Sequence, residues 1–146
     1  MAGLGFDDSM PGVISAKTHG IIDYIHAGTN LTLAAVLRNR DRAASNAALA
    51  LGLGVLVNAL MTDYPLGVFR VWSFKTHGMM DYGVAAASAA IPSLVDMNSS
   101  AASTFFQVQG AGETGIAALT NYDDNSGSSR ARKKGVTKLF QKRKAA

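Results

Sequence analysis

The octapeptide KTHGIIDY at residues 17–24 returns as KTHGMMDY at residues 75–82, so a histidine followed four residues later by an aspartate occurs twice in one register. Imidazole and carboxylate are the groups that ligate metal ions, carry haem or pass protons, and on a helix the i, i+4 spacing puts each pair on one face within side-chain reach. His19, Asp23, His26 and Asn30 extend the first pair into a polar stripe, whose counterpart in the second copy is His77, Asp81, Val84 and Ser88. Glu113, standing where the first copy has Val55, falls near the depth of Asp81 and His26. Asn58, Gln107 and Gln109 are further polar residues of the same segments.

Three kinds of chemistry fit these residues. In the first, each Asp accepts a hydrogen bond from the imidazole one turn earlier and the pairs register the helices as structural clasps. In the second, they are ligands. His19 and His77 face opposite sides of a haem or pigment, with His26 a further cofactor-binding candidate, or His19, Asp23, His77, Asp81 and Glu113 hold a divalent metal, as bundle cores do with inward His and carboxylate groups. In the third, the His, Asp and Glu residues relay protons, although the outer half of the chain's helices offers few ionisable groups. Nucleophilic catalysis is not indicated, because no serine stands beside a histidine with a supporting acid beyond THGxxD itself. Thr18 and Thr76 read as helix N-caps. GLG at 52–54 and GAG at 110–112 lie inside helical patterns rather than after strands, so they read with Gly20 and Gly78 as close-packing positions, not as phosphate cradles.

The elements that position these groups follow from the extent of the repeat. At a constant offset of 58 and without a gap, residues 15–64 lie over 73–122 with sixteen of fifty positions identical, including Thr62 and Tyr64 over Thr120 and Tyr122. The unit is therefore a helical hairpin used twice. Charged residues are 16 %, against about 25 % in an average soluble domain, and mean hydropathy is +0.13. Four segments, 18–37, 43–62, 76–95 and 101–121, approach the roughly 20 residues that a membrane-crossing helix needs. Residues 43–62 contain no charge at all, which an exposed helix face in water would require at every turn. The expectation is an all-α, integral membrane four-helix bundle of two tandem hairpins. Its parts are an N-terminal segment 1–14, a first transmembrane hairpin 15–64, a connecting loop 65–72, a second hairpin 73–122 and a basic tail 123–146.

Eight of the fourteen Lys and Arg lie after residue 129, so the pI near 9.6 describes mainly that tail. Anionic lipid is its expected partner, and nucleic acid is not, since no base-reading module accompanies it. With both termini cytoplasmic, that side carries Lys17, Arg70, Lys75 and the eight tail residues, and the other Arg38, Arg40 and Arg42, which favours this orientation in an inner membrane. The start MAGLGFDDSMPG has no basic signal-peptide region. There is no cysteine, hence neither disulfide nor thiolate site.

The hairpins with HGxxDY at the start of the odd helices, the segment ALMTDYPLGVFRV and the GxGE of the last helix resemble the small bacterial four-helix membrane proteins called SPW-repeat proteins. The resemblance covers residues 14–122 and departs at the name-giving tripeptide, where the second copy reads AIPSLV and the first TLAAVL. It implies membrane location and a duplicated bundle, and it carries no activity. The sequence thus favours a non-enzymatic scaffold or accessory subunit that packs against a larger membrane complex or against itself. The alternative is a haem-, pigment- or metal-binding bundle with His19 and His77 as ligands.

Overall fold

Four short polar side chains set where the helices begin. Ser15, Asp41, Ser73 and Ser99 each accept a hydrogen bond from the backbone N–H three residues on, at Thr18, Ala44, Thr76 and Ala102, satisfying donors that a helix start otherwise leaves unpaired. The computed structural model describes residues 12–123, and from these caps run α1 (Ala16–Leu37), α2 (Arg42–Met61), α3 (Phe74–Leu94) and α4 (Ser100–Leu119). Thr18 and Thr76 are therefore not the caps. Each sits inside the first turn with its hydroxyl bonded to the capping serine, at 3.0 and 2.9 Å. Residues 1–11 and the basic stretch from 124 onward, with the anionic-lipid expectation for it, lie outside the described residues.

The chain forms a four-helix bundle in which α1 packs chiefly on α2 and α3 on α4, with a smaller α2–α3 contact. Two short pieces of strand depart from the all-helical expectation. β1 (Thr62–Asp63) pairs in parallel with β2 (Trp72–Ser73), and an isolated parallel bridge joins Ile14 to Thr120. Thr62 to Trp72 and Thr120 to Ile14 are the same pairing at an offset of 58, so the end of each hairpin is fixed beside the start of the other. Nothing in the apolar periodicity marks such a two-residue ladder; it arises because the helix ends must hand their backbone groups to some partner.

The interior is made of small and polar side chains. On α1 the buried residues are Ala16, His19, Gly20, Asp23, Ala27, Asn30 and Ala34, while Ile21, Ile25 and Val36 face outward. Large buried apolar groups are concentrated near the two ends, Phe106 and Leu51 in one cluster, Tyr64 and Phe74 in the other. Of the paired glycines, Gly52 and Gly110 do sit at close approaches. A β-carbon on Gly110 would lie 2.6 Å from the Ala85 carbonyl oxygen, whereas Gly54 and Gly112 meet nothing. Gly20 and Gly78 admit aromatic rings rather than helix backbones, Tyr64 and Tyr122 respectively, each within 2.6 Å of where a β-carbon would be.

Among the described residues one helix, α2, is long and apolar enough to cross a membrane, with a mean hydropathy of 1.6 over its best window, 44 % of which is buried. The other three segments were expected to qualify too. They fall short because inward-facing His, Asp, Asn, Gln, Ser and Glu residues lower their averages, as do outward-facing Thr29, Thr32, Thr104, Gln107 and Thr114, although large apolar side chains such as Ile21, Ile25, Met79 and Val108 are exposed as well.

Candidate metal centre

The two octapeptides meet. His19 near the start of α1 and His77 near the start of α3 bring their Nε2 atoms to 3.1 Å, and both rings are all but inaccessible, at 2 % and 1 % exposure. Helical spacing delivers Asp23 and Asp81 one turn further along. The carboxylates lie across both rings: His19 Nε2 is 3.3 Å from Asp23 Oδ1 and 3.1 Å from Asp81 Oδ2, and His77 Nε2 is 3.2 Å from Asp23 Oδ2 and 3.1 Å from Asp81 Oδ1. Each Asp thus serves the histidine of the other hairpin as well as its own. One ligand atom from each of the four residues can be chosen so that all lie within 4.8 Å of one another.

The far side of each ring fixes its tautomer. His77 Nδ1 is 2.7 Å from Thr62 Oγ1, and His19 Nδ1 is 2.8 Å from Thr120 Oγ1. Each threonine has a single hydroxyl hydrogen, and each donates it to the carbonyl one turn back, Asn58 at 2.6 Å and Ile116 at 2.7 Å. The hydroxyl oxygen can then only accept from the ring, so Nδ1 carries the hydrogen and the Nε2 of a neutral ring points its lone pair into the centre. The Trp72 indole N–H donates to Thr62 Oγ1 and to Asn58 Oδ1, both at 3.1 Å, and holds this corner together.

The carboxylates are held by donors of their own. The Tyr64 hydroxyl donates to Asp23 at 3.3 Å, the Tyr122 hydroxyl to Asp81 at 3.0 Å, and Asn58 Nδ2 to Asp81 at 3.2 Å. Burial first, then the neighbouring charges of Asp23 and Asp81, pushes both phenols well above their ordinary range, so they remain hydrogen donors. Phe74 closes the centre with its ring 5.4 Å from His19 and 5.7 Å from His77.

This arrangement concentrates acceptors. Two imidazole Nε2 atoms and two carboxylates converge where positive charge is needed at low dielectric, supplied either by a cation on the Nε2 lone pairs or by an Nε2–H that donates to Asp23 and Asp81. A divalent cation would balance the two carboxylates, and a tetrahedron with metal–ligand bonds of about 2.0–2.1 Å has edges on the order of 3.3 Å. The individual Nε2 contacts match that edge, while one atom taken from each of the four residues gives separations of up to 4.8 Å, so a bound ion would draw the carboxylates in. The group set, imidazole with carboxylate, suits a first-row divalent ion such as zinc, iron or manganese. A haem or pigment between His19 and His77 does not fit. Two axial imidazoles on one iron place their nitrogens roughly 4 Å apart, twice a metal–imidazole bond, with the macrocycle between them; here they are 3.1 Å apart and in direct contact.

The remaining candidates sit elsewhere. His26 and Glu113 face each other across α1 and α4, His26 Nδ1 being 3.7 Å from Glu113 Oε1, and neither belongs to the four-residue cluster. Asn30 and Gln109 bond to one another one turn along, at 2.8 Å, and Gln107 is exposed. Thr62, Thr120, Tyr64 and Tyr122 were visible as repeated positions, yet nothing in their spacing tied them to the histidines. That tie runs through the crossing of one hairpin's end over the other's start. No family model, curated protein or solved structure matches this chain.

Proposed function

We propose that the protein is a membrane-embedded, non-enzymatic four-helix scaffold whose two hairpins are clasped by one divalent metal ion held by His19, Asp23, His77 and Asp81. The observation that carries this reading is the convergence of both Nε2 atoms and both carboxylates on a single buried point, with the threonine hydroxyls holding the hydrogen on each Nδ1 so that Nε2 is the atom left to ligate. Four protein ligands with no opening to solvent make a closed site, the form that structural metals take, whereas catalytic metals keep a position free. The ion would supply the positive charge there; the chain supplies ligands, orienting hydroxyls and the aromatic lid.

The membrane part of the reading is supported by an inside-out polarity. From Thr18 to Leu37, Ala43 to Met61, Thr76 to Leu94 and Ser100 to Leu119 the charged side chains are Asp23, Asp81 and Glu113, and all three turn inward, while Ile25, Leu53, Val57, Met79 and Val108 are exposed. An outer surface of this kind suits lipid, where Gly and Ala contacts drive helix association. The resemblance to SPW-repeat membrane proteins and the parallel repeat at an offset of 58 point the same way, with both termini cytoplasmic and larger membrane complexes or a second copy as partners.

Purification of the whole chain in mild detergent, followed by exchange with cobalt(II), tests the reading. A tetrahedral cobalt site gives intense visible bands at one ion per chain, absent from a His19→Ala/His77→Ala variant. A wild-type chain that takes up no cobalt and no other metal at stoichiometry overturns it.

A further inference from the structure

The loops before and after α2 are built of opposite materials. Before it stand Arg38, Asn39, Arg40 and Asp41, the first three exposed. After it the chain reads PLGVFRVW at residues 65–72, and Val68, Phe69 and Val71 are 61, 66 and 61 % exposed. Leu66 of the same loop packs inward against the cluster of Tyr64 and Phe74, and its carbonyl accepts the Tyr24 hydroxyl at 3.0 Å. The loop therefore has a buried side, and its larger apolar groups are on the other.

This outward face is held in place by the backbone. The N–H groups of Val68 and Phe69 both donate to the Leu60 carbonyl, at 2.8 and 2.9 Å, and that of Val71 to the Met61 carbonyl at 2.7 Å. They thereby satisfy acceptors that the end of α2 would otherwise leave open. Arg70 turns the chain at a φ of 50°, a left-handed conformation that glycine adopts more readily, and its Nε lies 3.9 Å from Asp63 Oδ1. Apolar side chains whose own N–H groups are paired within the chain can leave water without stranding those donors, as the edge of a bilayer requires. A protein partner that adds to a backbone edge uses such N–H groups. Here they are already taken.

We propose that the α2–α3 loop is a lipid anchor, in which Val68, Phe69 and Val71 enter the boundary between headgroups and acyl chains, on the order of 5–10 Å deep. Arg70, with Lys17 and Lys75 of the adjoining helix starts, meets lipid phosphates at the rim. These three cations stand against two acids at this end, Asp63 and Asp123, which pair with Arg70 and Lys75. Long basic side chains lie along an apolar bed and place their charge at the headgroups. Val13, 58 residues before Val71 and likewise exposed, puts a matching apolar group at the start of the first hairpin. The anchor rests on the membrane location proposed for the bundle, and it names the leaflet contact that fixes the bundle's depth.

The chain has no cysteine, so single cysteines carrying a nitroxide report one position at a time. The full chain is placed in nanodiscs of phosphatidylcholine and phosphatidylglycerol, labelled at Phe69→Cys, Val68→Cys, Val57→Cys or Asn39→Cys, all exposed positions. Collisions of each label with oxygen and with a nickel chelate are measured by EPR power saturation. The oxygen-to-nickel ratio at Phe69 and Val68 is expected to fall below that at Val57, on the outer face of α2, and to exceed that at Asn39 roughly threefold or more. Labels at Phe69 and Val68 as open to nickel as that at Asn39, with Val57 in lipid, overturn the anchor and leave the membrane location standing. Loop labels reached by neither agent place the loop in a protein contact and overturn it too. Nickel access at Val57 as well removes the membrane location, and the anchor with it.

Discussion

Two layers of the bundle treat the repeat differently. At the His–Asp centre, positions 58 apart make the same main contacts: each histidine bonds a threonine from the other hairpin's end, each aspartate receives a tyrosine hydroxyl from its own, and each THG glycine admits that tyrosine's ring, with Asn58 and Trp72 added on one side where the other has Ile116 and Ile14. One to two turns deeper the match fails, with His26, Asn30, Gln109 and Glu113 standing over Val84, Ser88, Leu51 and Val55. A single ion on the axis between two hairpins needs a contribution from both, so the first layer must be paired. The second layer has no such need, and there one side became polar while the other stayed apolar.

The comparison is broken most severely by removing the shared ligands. His19→Ala with His77→Ala leaves two carboxylates buried without their partners, a loss of about 3–5 kcal/mol by analogy with broken buried ion pairs. Thermal unfolding in detergent, followed by circular dichroism, reads this as a large fall in Tm together with loss of bound metal. A double variant as stable as wild type counts against any clasp at this point.

Thr120→Val and Thr62→Val each strip an imidazole of the group that orients it, and an outer-layer change of this kind weakens metal binding about 10–100-fold. Competition with a metal-sensing dye should give the same order of loss at both positions, slightly greater for Thr62 because Trp72 also bonds it. A marked effect at one threonine and none at the other breaks the pairing of the layer.

At the opposite end, Asp41 caps α2 through Ala44 and reaches the Ser99 N–H of the other hairpin at 3.1 Å, while Ser99, at the matching position, caps α4 alone. Asp41→Ala is expected to cost about 1–2 kcal/mol, more than Ser99→Ala, because a charged acceptor with two donors is lost. Backbone N–H groups, Ala44 first, hold the Asp41 carboxyl below its ordinary value. Its contribution is therefore complete above the usual carboxylate range and fades as pH falls through the lowered value. The stability gap between wild type and Asp41→Ala, measured by chemical denaturation from neutral pH downward, should narrow accordingly. Tyr64→Phe and Tyr122→Phe, each removing one hydrogen bond, are expected to cost about 1 kcal/mol and to differ little from one another.

Much of this architecture can be read from the residues. The i, i+4 pairs, their depth and the 58-residue offset set four helices in two hairpins and turn His19, Asp23, His77 and Asp81 inward. Contacts that join elements distant in sequence leave no such local mark. Glu113 looked like a fifth ligand because depth along a helix is legible, but its facing depends on how α4 rotates against α1, and it meets His26 instead. Gly20 and Gly78 read as backbone contacts, since nothing local shows that a tyrosine 44 residues on folds back over each. The haem alternative required a gap between two rings, and only packing decides that they touch.

The most direct test of the clasp is X-ray absorption at the metal edge on the whole chain purified without added chelator, with metal content measured on the same sample. One divalent ion per chain with a first shell of nitrogen and oxygen at about 2.0–2.1 Å, including the outer-shell scattering of two imidazoles, is the predicted result. A metal-free protein that keeps its full stability, or an ion whose shell contains no imidazole, would contradict it.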